Sequence, residues 1–159
     1  MTSYLEVSEP RPHVRQLTLN RPERMNAMSF DTVTPLRDAL REAGEDHDTW
    51  VVILTGAGAG FCSGLDLEDA GIPPGTDGLP LSRLAIRAME HFSDLIPIMR
   101  GLPQPVIAAV NGPAIGGGMC LSMGADIRLA AESAYWRAAG INNGLGAVEL
   151  GLSYTLTRA

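Results

Sequence analysis

Residues 14–20 (VRQLTLN) alternate apolar and polar side chains, a period of two that predicts a half-buried strand. After a turn at RPERMNAM the period changes. Phe30, Val33, Leu36, Leu40 and Ala43 recur at helical spacing and predict a helix over 29–46, with Ser29 or Asp31 as its cap. Residues 50–56 (WVVILTG) form a continuous apolar run closed by glycine, which suits a strand buried on both faces, and 105–112 (PVIAAVNG) repeats that pattern. The segment 126–131 (DIRLAA) predicts a third short strand. Between these strands, 81–102 reads as one amphipathic helix in which Pro97 marks a kink or a stop. The stretch 71–80 (GIPPGTDGLP) is a loop. Strands alternating with helices, without an internal repeat, predict an α/β fold with buried strands.

The chain has 159 residues, a length that suits one domain with a sizeable core. Its formal charge of −6 excludes a broad electrostatic attraction to nucleic acid or to an anionic membrane, so the expected ligand is a small molecule or a protein. Two cysteines, Cys62 and Cys120, lie in apolar, glycine-rich surroundings with no CxxC or metal-ligand spacing, which predicts reduced thiols in a cytoplasmic protein. The first 16 residues are polar and predict no signal peptide, and no apolar run is long enough for a membrane helix.

Each core strand runs into a glycine-rich turn. The first, 55–67 (TGAGAGFCSGLDL), fails the dinucleotide-binding spacing, because the required third glycine falls on Phe61 or on Ser63. The second, 111–126 (NGPAIGGGMCLSMGAD), places three glycines where a strand meets a helix. Glycine there lets the backbone approach a ligand, and the first turn of the helix offers unpaired N–H groups to a developing anion. Two such donors converging from separate segments would form an oxyanion hole. From this turn alone, tight helix packing explains the glycines equally well.

Taken together, LNRPERMNAM, FCSGLDL and PVIAAVNGPAIGGGMCLSMGADIRLAAESA resemble the crotonase (enoyl-CoA hydratase/isomerase) superfamily over nearly the whole chain. The resemblance implies a crotonase-like spiral of ββα units, an acyl-CoA thioester substrate and an enolate held by the backbone N–H groups of Leu65 and Gly117. It implies no cofactor or metal beyond the coenzyme A of the substrate and a homotrimer or dimer of trimers for the complete protein, while the acidic charge predicts no nucleic-acid or membrane partner. Arg24 and Ala27 of LNRPERMNAM, with Cys62, Ser63, Leu65, Asp66, Gly116 and Gly117, form the implied substrate and CoA-binding set. Arg24 is the phosphate contact in that set, and Asp66 reads as a brace for its turn.

Hydratases of this family carry one glutamate three residues after the hole glycine and a second downstream; those positions here hold Cys120 and Gly140. Cys120 reads as core filler. Counted back from SYTLTRA, with one inserted residue assumed, Glu149 falls where enoyl-CoA and dienoyl-CoA isomerases of the family carry an acid. One carboxylate suffices for an isomerase, since the same group removes a proton at one carbon and returns it at another. The expectation is therefore double-bond isomerisation in fatty acid metabolism, with Glu149 as the acid/base. The alternatives are hydration proper, a 4-chlorobenzoyl-CoA dehalogenase-like hydrolysis through a carboxylate nucleophile, or a non-catalytic acyl-CoA-binding protein. His91 does not match the dehalogenase spacing, His13 and His47 lie near surface turns, and Asn142 and Asn143 are possible substrate contacts. Relatives continue past TLTRA into a helical region, so residues 1–159 read as a crotonase-like core domain truncated before it.

Overall fold

The first two strands make a hairpin. β1 (Leu5–Arg11) runs antiparallel to β2 (Val14–Leu19), with Leu5 opposite Leu19 and Arg11 opposite Val14. His13 turns the chain in the left-handed region, at φ 67°. β1 has no counterpart among the elements the hydrophobic pattern predicts. It is an edge strand in which Leu5 is the buried residue, and an edge tolerates Pro10, which has no N–H to give to a ladder. The computed structural model describes residues 3–144, 146 and 149–159.

α1 (Phe30–Glu45) buries Val33, Leu36, Leu40 and Ala43 completely and lies against β1 and β2. Its cap differs from the expectation. Ser29 stands at the N-cap with extended backbone, but its hydroxyl meets Thr32 Oγ1 at 3.3 Å rather than a backbone amide, and Asp31 already belongs to the first turn. β3 (Val51–Gly56) follows, with Val52 and Leu54 fully buried.

The segment read as one helix is two, α2 (Leu81–Ser93) and α3 (Leu95–Gly101). The break falls at Asp94, three residues before Pro97, and Pro97 sits in the first turn of α3. A proline ring clashes with the carbonyl four residues back, and a first-turn N–H has no intrahelical partner to lose. Pro97 therefore favours a new start upstream of itself over a kink at its own position.

Two further units repeat a strand–strand–helix order. β4 (Val106–Val110) joins β3, β5 (Ala114–Ile115) leaves the sheet, and α4 (Gly117–Gly124) returns the chain to β6 (Ile127–Ala130); β7 (Trp136–Arg137) then pairs with β5. The large sheet has the order β1-β2-β3-β4-β6, parallel from β2 onward, and β5-β7 makes a second, two-stranded parallel sheet. After two 3-10 turns, Gly140–Asn143 and Glu149–Gly151, comes the short α5 (Leu152–Thr155). Among the described residues no helix is long and apolar enough to cross a membrane. Because β3 and β4 are adjacent and parallel, the turns at their carboxyl ends leave the sheet side by side.

Candidate active site

Those two turns zip together. The N–H groups of Phe61 and Cys62 donate to Pro113 O at 3.1 and 3.2 Å, and Ile115 N–H donates to Cys62 O at 2.9 Å. The result is a parallel bridge between Cys62 and Ala114. Three residues further along each segment come Leu65 and Gly117. Gly64 between them has φ 91°, and a Cβ built there would lie 2.8 Å from Ile115 O and 3.1 Å from Gly117 N. Only a glycine lets the two segments approach this closely. Among the described residues neither the Leu65 nor the Gly117 N–H donates to a protein acceptor. Gly117 opens α4, so its N–H also carries the positive end of that helix.

The glycines of the triplet stand in different surroundings. Gly116 turns the chain at φ 52°. Gly117 lines a cavity, whereas a Cβ on Gly118 would lie 2.1 Å from Cys62 O, inside the packed core.

The cavity has a volume of about 280 Å³. Leu65, Gly117 and Cys120 meet there with Met28, Leu67, Met89, Phe92, Leu150 and Leu152, beside Ser63, Gly64, Gly116, Ala138, Ala139, Gly140 and Gly146. None of these side chains carries a charge, so an anion forming in the cavity would meet backbone dipoles rather than a cation. Glu149 opens the 3-10 turn whose next residue, Leu150, faces the cavity. Its side chain, like that of Asn143, lies outside the described residues. Asn142 is exposed.

Behind Leu65 stands a charge cluster. Asp66, with a side chain 1% exposed, accepts from Arg21 at 2.7 Å and from Arg24 at 2.9 Å. It also accepts from the N–H groups of Glu68 and Asp69, each at 3.0 Å. Burial alone would raise its pKa. The hydrogen bonds from Arg24 and from the Asp69 and Glu68 backbones outweigh that and hold the carboxyl well below the usual carboxylate range. Arg24, placed in the CoA-binding set by resemblance, is half-buried here and also pairs with Glu68 at 2.7 Å. Ala27 is buried on the same segment.

Neither cysteine forms a disulfide. Burial pushes the Cys62 thiol up to about 12, against a weaker opposing effect of the Gly64 N–H, so Cys62 is neither a base nor a nucleophile near neutrality. Cys120 is buried in α4, one turn past Gly117. The histidines are elsewhere. His91 bonds Thr34 Oγ1 through Nε2 at 2.9 Å and also meets Arg37, His13 stacks on Trp50 with ring centroids 4.0 Å apart, and His47 is exposed. Among the described residues no group of three or more His, Cys, Asp or Glu converges as a metal site.

The family model for enoyl-CoA hydratase/isomerase matches residues 9–159. The chain belongs to the enoyl-CoA hydratase/isomerase family. Its α/β architecture is the crotonase-like spiral, and the family is one of enzymes. It is 58% identical over 157 residues to a probable enoyl-CoA hydratase of Mycobacterium bovis, covering 99% of this chain and 55% of that protein. A solved probable enoyl-CoA hydratase/isomerase from Mycobacterium abscessus superposes with a TM-score of 0.92 at 51% identity, over 99% of this chain and 58% of the other. A monofunctional enoyl-CoA isomerase from M. smegmatis superposes at 0.78 with 47% identity, over 99% and 63%. The chain thus spans about half the length of the curated relatives it matches.

Three parts of this candidate site have no forerunner in the hydrophobic pattern. Asn26, at φ 55°, accepts from Arg21 N–H and donates to Ala57 O and Gly60 O, each at 2.9 Å, and so clips the LNRPERMNAM turn to the first glycine turn. The others are Arg21 and the α2 wall of Met89 and Phe92. An asparagine in an arginine-rich turn was the one local signal; the rest depends on contacts distant in sequence.

Proposed function

We propose that this chain carries the enolate-stabilising half of an acyl-CoA double-bond isomerase acting on enoyl-CoA thioesters. The observation that carries the reading is the pair of unpartnered N–H groups, Leu65 and Gly117, in an apolar cavity without a charged side chain among its described lining residues.

The thioester oxygen of a 3-enoyl-CoA accepts from both N–H groups. Glu149 removes a proton from C2, and the electron pair delocalises onto the thioester oxygen as an enolate. The protonated Glu149 then gives the proton back at C4, and the double bond has moved to C2–C3. Each backbone donor lowers such a barrier by about 3 kcal/mol. Two-carboxylate hydration needs an acid/base pair around the cavity, and Cys120 and Gly140 occupy the positions where the resemblance puts those glutamates. Arg24, the more accessible of the two arginines on Asp66, is the group offered to the CoA phosphates.

The test is turnover of a 3-enoyl-CoA and a 2-enoyl-CoA side by side. We expect conversion of the 3-enoyl substrate without hydration of the other. Glu149→Gln should lower kcat by about 10²- to 10⁴-fold while leaving acyl-CoA binding unchanged. Hydration of the 2-enoyl substrate, or turnover indifferent to Glu149→Gln, would overturn the reading.

A further inference from the structure

The peptide that presents the Leu65 N–H is fixed from its far side. Gly64 O, the other end of that peptide unit, accepts from Met28 N–H at 2.7 Å, and Asp66 N–H donates to Met28 O at 2.9 Å. No peptide bond among the described residues is cis. In a trans peptide the carbonyl and the N–H point in opposite directions, so anchoring Gly64 O on Met28 aims the Leu65 N–H away from Met28's backbone. That anchor holds only while the segment carrying Met28 stays where it is. The segment contains Arg21 and Arg24, and both reach across to Asp66.

We propose that Asp66, clamped by Arg21, is the positioning residue for the Leu65 oxyanion donor; this rests on reading Leu65 and Gly117 as that pair. Asp66 ties the Met28 segment to the turn that follows Leu65. Its Oδ2 takes Arg21, its Oδ1 takes Arg24, and Oδ1 also gathers the N–H groups of Glu68 and Asp69, which curls the chain immediately after Leu65. Arg21 is fixed in turn. Its backbone N–H donates to Asn26 Oδ1 at 2.9 Å, and its guanidinium lies 5.0 Å from the Tyr4 ring centroid with the side chain 8% exposed.

As a contribution to stability alone, the pair is poorly built. Arg21 Nε is buried with no hydrogen-bond partner, and a buried ion pair gains little over apolar packing. What the pair does supply is geometry, one residue away from a catalytic N–H. Preorganised donors stabilise a transition state because they need no reorganisation when the charge appears, so a looser Leu65 peptide would cost rate more than binding.

The experiment uses Asp66→Asn, which keeps an acceptor for the Glu68 and Asp69 amides and removes the charge. Because that takes from the buried Arg21 its one close partner and leaves only the longer contacts to Asp69 at 3.7 Å and Glu23 at 4.0 Å, the double variant Arg21→Met with Asp66→Asn is made in parallel, and the reading is taken on whichever is folded by circular dichroism. The probe is butyryl-CoA isotopically labelled at the thioester carbon, followed by difference infrared spectroscopy. In the unaltered protein, hydrogen bonding in the hole moves the bound carbonyl stretch to lower frequency. In the variant saturated with butyryl-CoA we expect a smaller shift, and a fall in kcat of about 10- to 100-fold. A full carbonyl shift in a folded variant, or a shift lost only together with binding, overturns the proposal. Absence of the shift in the unaltered protein instead defeats the oxyanion reading beneath it.

Discussion

Gly117 and Gly118 are identical letters with opposite tolerances. A Cβ on Gly118 would meet Cys62 O at 2.1 Å and Cys62 Cβ at 2.7 Å, both fixed in the core. A Cβ on Gly117 would meet Met28 Cε at 2.1 Å, the free end of a flexible side chain, with Leu150 Cδ1 next at 3.4 Å. Gly118→Ala should therefore destabilise the fold by about 1–3 kcal/mol, read as a lower Tm. Gly117→Ala should leave Tm nearly unchanged while the displaced Met28 fills the cavity and lowers acyl-CoA affinity. Equal melting losses in both variants would contradict this division. The triplet was legible in the sequence as a place needing glycine, but close approach to a ligand and close packing both select the same residue, so the letters could not separate them. Asp66 was legible as a brace because its amide partners are two and three residues away. Its guanidinium partners, 45 and 42 residues distant, were not.

Among the elements, β2, β3 and β4 could be read directly because strands inside a sheet need continuous or alternating apolar runs, and α1 because one face packs on that sheet; β6 could be read from Ile127 and Leu129 although it is the far edge strand and largely exposed. β1 escaped because an edge strand need bury only one residue, Leu5. β5 and β7, two residues each, are too short to have a period. The pattern marks a break at Pro97, and the α2–α3 break falls upstream of it, at Asp94. The α1–α2 contact also carries a titration. His91 on α2 sits between Thr34 and Arg37 of α1, with Asp94 paired to Arg37 at 2.7 Å and with Asp38 and Arg41 of α1 contributing charge nearby. Burial, then the Arg37 charge, lowers the His91 pKa below its usual 6.5. A histidine with a folded pKa below its unfolded one takes up protons more readily when unfolded. The stability it supports is whole above about pH 6.5 and is lost as pH falls from there through the lower folded value. Tm should fall between about pH 7.5 and pH 5.5, and His91→Gln, which can still bond Thr34, should flatten that fall. The same slope in both proteins would remove His91 from the account. Since Met89 and Phe92 of α2 line the cavity, acyl-CoA affinity should weaken over the same range.

At the scale of the whole molecule, a chain of formal charge −6 is proposed to receive a polyanion. The local field repeats the global one. Arg24, the proposed phosphate contact, is bonded inward to Asp66 and outward to Glu68, and the side chains of Glu23, Glu68 and Asp69 around it are 65%, 77% and 75% exposed. Asp66 is buried and has Arg21 as well, so the Arg24–Glu68 contact is the one a phosphate would displace. A solvent-screened pair of this kind contributes little, so a phosphate can exchange with it. Until it does, the coenzyme meets an acidic rim, and screening that rim should help binding. The Kd for a saturated acyl-CoA should fall by roughly twofold as salt rises from about 20 to about 200 mM, the reverse of the response expected from a basic docking patch. Glu68→Gln should lower Kd by roughly threefold at the low-salt end and erase most of that salt dependence, because it releases Arg24 and removes a repelling charge in one step. Titration calorimetry of both proteins at the two salt levels measures this directly. If Kd instead rises with salt in the unaltered chain, Arg24 is already available to the phosphates and Glu68 does not hold it back.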